Sequence, residues 1–354
     1  EAKALKKPFL YRDHRPENPP AWDGTQPLRL KVTDIKRYTW NDPVMGELSA
    51  GPEVLDDFIL MKADGLPTYN FAHIVDDAEM NVTHVIRGLE YISSIPRYLS
   101  LYEALGLEVP VLACLPHIMA PDGKKKLGKR DGAKSVQEYR TDGILPEAML
   151  NFLASMGWND GTEQELFSRE ELIEKFSLDR VQRSGARFDE QRLLWMNGQW
   201  IRRLSLDDLY ARTLKYWPKS AETYDEAYKK QVLGLVQDRL KTLAELPMMT
   251  KYFFEEPAIN TELITDNKQL KKLSPDEIST LLATVKTEFE NLSEWTPESL
   301  QECLNRLLDT TGQKPGILFS LVRIVTTWAP FSPQLNDTLA LLGKKTTLAR
   351  LARL

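Results

Sequence analysis

Two short apolar runs, VTHVIRG (82–88) and VPVLACLP (109–116), bracket the segment SSIPRYLSLYEALG, and this arrangement constrains the fold more than any other feature of the chain. Inside the bracket, Ile95, Leu99, Tyr102 and Leu105 recur at helical spacing, and the pattern stops at Gly106, a residue suited to a left-handed helix end. The second run is long enough for one buried strand. Strand, helix, strand in that order predicts a parallel α/β unit.

The flanks differ in texture. Upstream, DDFILMKADGLPTYNF (56–71) reads as two strands around an Asp64-Gly65 turn, and LRLKV (28–32) alternates as a strand does. Residues 1 to about 53 are rich in Pro and polar groups, with PENPPAWDG (16–24) as a loop. Beyond about Asp142 nearly everything reads as helix. Ser168 with Glu171 and Ser274 with Glu277 have capping-box spacing, and Pro275 and Pro297 sit where first helical turns begin. Val232, Val236, Leu240 and Leu243 form one apolar stripe; Ile278, Leu281, Leu282, Val285 and Phe289 form another, and both are read as core.

At 354 residues the chain is long enough for two or three domains. No apolar run approaches the roughly 18 residues of a membrane span. The two cysteines, Cys114 and Cys303, lie far apart in the sequence, so neither a structural zinc nor a disulfide is expected, and a reducing compartment fits. A net charge of −5 excludes a wholly basic nucleic-acid coat but allows local basic patches. The chain opens on Glu1 without an apolar signal segment and reads as beginning inside a longer protein.

Two clusters carry chemistry. In GKKKLGKRDGA (123–133) five basic side chains, Lys124, Lys125, Lys126, Lys129 and Arg130, fall between glycines that permit close backbone approach. Such a run suits a triphosphate, a nucleic-acid backbone or simply solvent. In TYNFAHIVDDAEMNVTHVIRG (68–88), Tyr69, His73, Asp76, Asp77 and Arg87 fall where strands are expected to end, the usual place for ligands in open α/β sheets. Arg87 has two readings: a clamp for a substrate carboxylate, or an internal pair with Asp76 or Asp77. His73 alone reads more as a satisfied structural histidine than as a ligand.

These blocks, with DGILPEAMLNFLASMGW and LLWMNGQWI in the same order downstream, resemble bacterial-type glutamyl-tRNA synthetase, a class I aminoacyl-tRNA synthetase, over nearly the whole chain. The resemblance implies an α/β plus all-α fold. Residues 1–53 would end an acceptor-stem-binding insertion, and 54–140 would form the second half of a class I Rossmann-type catalytic domain. A helical stem-contact region (141–205) and an α-helical anticodon-binding bundle (206–354) would follow. The basic loop corresponds to the family's KMSKR signature, here Lys126-Leu127-Gly128-Lys129-Arg130. It departs from that signature in having Gly128 for the usual serine, and it carries one additional lysine.

By the same resemblance Lys126 and Lys129 are catalytic. They bind ATP together with Ile118 and Arg130, while Tyr69, His73, Arg87 and Tyr91 bind glutamate. Arg239, Lys344, Lys345 and Arg350 are candidates for tRNA contact. The implied substrates are glutamate, ATP with Mg2+ and tRNA(Glu); no other metal is implied, and a cytoplasmic monomer free of membranes is expected. The HIGH-type signature of the class does not occur between Glu1 and Leu354, and THVI around His84 does not replace it; its place in the family would precede residue 1. A glutaminyl-tRNA synthetase and a non-catalytic tRNA-binding relative are the alternatives. The helical C-terminal half speaks against the first.

Overall fold

The computed structural model describes residues 9–128, 130, 132–329 and 332–354; the expectations placed on Glu1 and on Lys129 lie outside the described residues. Two compact units emerge, one comprising the described residues up to Ala133 with Leu153–Phe188, the other Lys134–Phe152 with Asp189–Leu354.

The first unit contains β1 (Leu28–Arg29), β2 (Tyr38–Asp42), β3 (Gly46–Ala50), β4 (Ile59–Met61), α1 (Tyr69–Glu79), β5 (His84–Gly88), α2 (Ile95–Leu105) and β6 (Val111–Leu115). β5 and β6 pair in parallel, from His84 opposite Val111 to Gly88 opposite Leu115, and α2 connects them. Gly106 ends α2 at φ 65°, as its place in the sequence predicts. Ile74 of α1, Ile95, Tyr98, Leu99, Leu101 and Tyr102 of α2, and Leu112 and Cys114 of β6 form the core of this layer. β2 and β3 form an antiparallel hairpin. Its last β2 residue, Asp42, is buried, and its carboxylate accepts from Val44 N (2.8 Å), Met45 N (3.0 Å) and Cys114 N (2.8 Å). One buried carboxylate therefore closes the hairpin turn and ties it to β6, each donor compensating part of its desolvation.

Two upstream expectations are corrected. LRLKV contributes only the two residues of β1, paired antiparallel with β4. After Asp64-Gly65 there is no second strand: Met61 and Pro67 make an isolated bridge, and the chain turns into α1. Thr68 remains extended, its hydroxyl donating to Ile59 O at 2.7 Å, and from Tyr69 onward the apolar residues follow a helical period that buries Ile74 against α2. Short apolar runs do not separate strand from helix by periodicity alone.

Downstream come α3 (Val136–Thr141), α4 (Pro146–Ser155), α5 (Arg169–Lys175, within the first unit), α6 (Glu190–Arg203), α7 (Leu206–Thr213), α8 (Glu226–Val236), α9 (Leu246–Phe254) and α10 (Glu262–Thr265). The chain ends with α11 (Pro275–Glu290), α12 (Pro297–Thr311), α13 (Pro315–Thr327), α14 (Leu335–Leu342) and α15 (Lys344–Leu351). The capping boxes at Ser168/Glu171 and Ser274/Glu277 are formed. The stripe of α11 packs into a core with α12, α13 and α14. The other stripe is buried but is not one helix: α8 ends at Val236, and Leu240 is extended beyond a short turn. Tertiary bonds take over there. The Gln237 amide donates to Ile201 O and Leu204 O, and Asn197 Nδ2 donates to Lys241 O at 2.6 Å.

Candidate functional site

The end of β5 delivers Arg87 into a concave site that it lines with His73, Tyr91, Tyr98, Tyr102 and Cys114. Three tyrosine rings surround its guanidinium: the centroids of Tyr69, Tyr91 and Tyr98 lie 5.3, 5.0 and 5.9 Å from its Cζ. Negative ring faces hold the cation by its quadrupole attraction without neutralising it. Arg87 also donates to the Tyr69 hydroxyl. Among the described residues it forms no ion pair with a carboxylate, so the pairing with Asp76 or Asp77 that the sequence allowed is not made. Asp76 is exposed, and Asp77 Oδ2 is buried without a hydrogen-bond partner.

Tyr69 and His73 sit on the first turns of α1, not at strand ends. One helical turn apart, their rings stack at 5.0 Å, and the His73 ring meets Tyr98 edge-on at 4.7 Å. His73 Nδ1 lies 2.8 Å from Tyr69 O; as donor to that carbonyl it leaves Nε2 as the lone-pair nitrogen. Burial pushes the His73 pKa below its ordinary value, and the positive charge of Arg87 acts in the same direction. Burial raises the Tyr69 phenol, helped by its hydrogen bond with Tyr91, so the ring that faces Arg87 stays neutral.

The basic loop is a hairpin. Leu127 N donates to Ile118 O (2.8 Å), Ala120 N to Lys125 O (2.8 Å), and Gly123 N to Ala120 O (2.7 Å) across the turn. Ile118 thus forms the base of the hairpin, with its side chain partly exposed. Lys126 Nζ lies 2.8 Å from Glu90 Oε1, and His117 Nδ1 lies 3.4 Å from Glu90 Oε2. The Lys126 ammonium holds the Glu90 carboxyl below the usual carboxylate range. Gly88 makes room for this: a Cβ there would fall 2.2 Å from Glu90 Oε2. Arg130 is exposed.

Sequence reasoning missed two members of this region. Glu90 lies three residues after Arg87 and links the aromatic site to the hairpin, but a lone glutamate in LEY carries no distinguishing signal. Residues 186–188 add a third strand-like segment to the hairpin, Met119 N donating to Ala186 O (2.9 Å) and Phe188 N to Met119 O (3.0 Å). Gly185 beside Ala186 was the available clue, since a Cβ there would fall 2.5 Å from His117 O.

In the second unit the four tRNA candidates part company. Arg239 is exposed, on the short turn after α8. Lys345 is exposed in the first turn of α15. Lys344 donates to Glu290 O (2.9 Å) and Leu292 O (2.7 Å), carbonyls at the end of α11, where a cation complements the helix dipole. Arg350 is corrected. It is 3% exposed and donates to Thr326 O (2.6 Å), Tyr252 O (2.9 Å), Glu255 O (3.2 Å) and Glu256 Oε2 (3.1 Å). Spacing alone did not show that its side chain returns into the bundle, where satisfying buried carbonyls leaves it unavailable to phosphate. Among the described residues no three His, Cys, Asp or Glu side chains converge as a metal site, and no helix is long and apolar enough to cross a membrane.

Comparison with known proteins divides the chain in two at a different place, so that residues 134–152 and 189–195 of the second unit fall within the first match. Residues 13–195 match the family described as tRNA synthetases class I (E and Q), catalytic domain, and residues 208–354 match an anticodon binding domain. A glutamate–tRNA ligase of Exiguobacterium sibiricum is 34% identical over 92% of this chain and 68% of its own length. That of Clostridium botulinum is 37% identical over 99% of this chain and 73% of its own. Among solved structures, a glutamate tRNA ligase from Elizabethkingia meningosepticum in complex with its amino acid superposes with a TM-score of 0.79 at 29% identity, over 92% of this chain and 67% of that one.

Proposed function

The chain belongs to the glutamate–tRNA ligases of class I, which join glutamate to tRNA with ATP, and from that premise we propose how its residues divide the work. Arg87 receives the side-chain carboxylate of glutamate, with Tyr69, His73 and Tyr91 shaping the pocket. Lys126 and Lys129, with Arg130 and the backbone at Ile118, hold ATP, whose Mg2+ arrives as part of the substrate. The observation that carries this reading is an arginine embraced by three tyrosines and left without a carboxylate among the described residues. A guanidinium in that state has donors ready for a bidentate anion.

The chemistry follows in two transfers. The α-carboxylate of glutamate attacks the α-phosphorus of ATP, forming glutamyl-adenylate as pyrophosphate leaves. A ribose hydroxyl of the tRNA then attacks the acyl carbon, and AMP leaves. Lysines at the hairpin stabilise the charge that builds on the phosphates in the first step. Lys126 must leave Glu90 to do so, and an exposed, solvent-screened pair of that kind is readily given up. Neutral His73 adds no second cation to compete for the carboxylate.

The proposal assigns residues 1–53 to the end of an acceptor-stem insertion, 54–140 to the second half of the catalytic domain, 141–205 to stem contact and 206–354 to the anticodon. Arg239, Lys345 and, at the end of α11, Lys344 are the proposed tRNA contacts, in a monomer acting in the cytoplasm. The test is charging by the intact ligase carrying Arg87→Ala. Its KM for glutamate should rise about a hundredfold or more while tRNA affinity stays within about twofold. A large loss of tRNA binding would remove Arg87 from the amino-acid pocket.

A further inference from the structure

We propose that Arg187 is a phosphate-binding residue of the basic hairpin, a cation brought to it by a segment far away in sequence. The inference rests on the reading of that hairpin as a phosphate site. Backbone pairing of residues 186–188 with Met119 fixes where Arg187 stands. Two glycines then determine what its side chain can do. Gly185 allows the segment to lie against the His117 carbonyl, which a Cβ would approach to 2.5 Å. Gly123, at φ +70° in the hairpin turn, lacks a side chain where the guanidinium passes: a Cβ there would fall 2.5 Å from Arg187 Nε and 2.9 Å from its Cζ.

The guanidinium therefore lies over the turn that carries Lys124, and it is exposed. Its neighbours in sequence are used up structurally. Arg183 donates to Val44 O at 3.1 Å, and Arg180 to Asp160 O. Among the described residues Arg187 has no such partner, and no carboxylate pairs with it. The nearest acid in the turn, Asp122, accepts from Lys124 N at 3.0 Å. An arginine whose segment is pinned by two backbone hydrogen bonds, passing over a glycine and left unneutralised among the described residues, presents a planar fork of donors to solvent. Phosphate oxygens match that fork bidentately. The phosphate is either that of ATP or that of the tRNA backbone.

Arg187→Gln in the intact ligase separates these sources by two readouts. With a tRNA phosphate, the log–log salt dependence of tRNA binding becomes shallower by about 0.7–0.9, and the KM for ATP is unchanged. With a phosphate of ATP, that KM rises about fivefold or more and the salt slope is unchanged. Arg187→Lys, which keeps the charge but loses the fork, should restore part of either effect. Gly123→Ala, which displaces the guanidinium, should shift the same readout in the same direction. A folded Arg187→Gln enzyme with neither readout altered overturns the proposal. Lys126→Ala run alongside tests the underlying reading separately: if it leaves single-turnover adenylate formation unchanged, the hairpin is not the phosphate site, whatever Arg187 does.

Discussion

Arg87 at the end of β5 donates a hydrogen bond to the hydroxyl of Tyr69, 18 positions earlier on α1, and lies 5.3 Å from the centroid of the same ring. One tyrosine thus orients the guanidinium with its oxygen and attracts it with its π-face. The arginine is held in place by neutral groups, which leaves its charge for a substrate.

Glu90 governs the resting position of Lys126. Glu90→Gln keeps the shape but removes the charge that holds the lysine, so the KM for ATP should fall, by about two- to fivefold, with kcat little changed. Steady-state kinetics at varied ATP decide it; a rise in KM would mean that Glu90 helps bind the nucleotide.

Arg350 is a structural residue. Arg350→Ala strips a donor from three backbone carbonyls and leaves Glu256 with Arg353 alone, and it should destabilise the second unit by about 3 kcal/mol or more. Lys345→Ala, fully outside such bonding, should alter stability by less than about 0.5 kcal/mol. Denaturant unfolding of the two variants checks both. Comparable stabilities would show that the Arg350 network contributes little.

His73 gives the first unit a pH dependence of predictable sign. Its pKa in the folded chain lies below that of the unfolded chain, so between the two values the unfolded state binds more protons. The contribution is fully present above the unfolded value near 6.5 and is lost as pH falls through the folded value. His73→Gln should flatten this part of the stability profile as pH falls below about 6.5. If the variant retains the full slope, another group is responsible.

Much of this architecture is legible in the sequence, for local reasons. The parallel strand–helix–strand unit follows from VTHVIRG, VPVLACLP and Gly106, and the capped helices from Ser168, Ser274 and the prolines after Ser274 and Thr296. What stayed hidden depends on partners remote in the chain. The first residues of α1, Tyr69 to Phe71, read as the end of a strand because their identity is decided by packing against α2. Arg350 read as an exposed cation because its acceptors lie 24 to 98 residues away. The Arg87 ambiguity could not be resolved by spacing, since Asp76, Asp77 and a substrate carboxylate are chemically alike.

The most direct test of the central claim is the ratio of kcat/KM for glutamate to that for glutamine in charging by the intact ligase, with and without Arg87→Ala. If Arg87 meets the side-chain carboxylate, the substitution should lower that ratio by about a hundredfold or more, because the lost interaction is with the charge that only glutamate carries. If the ratio is unchanged while both substrates weaken together, Arg87 does not read the side chain and the pocket assignment is wrong.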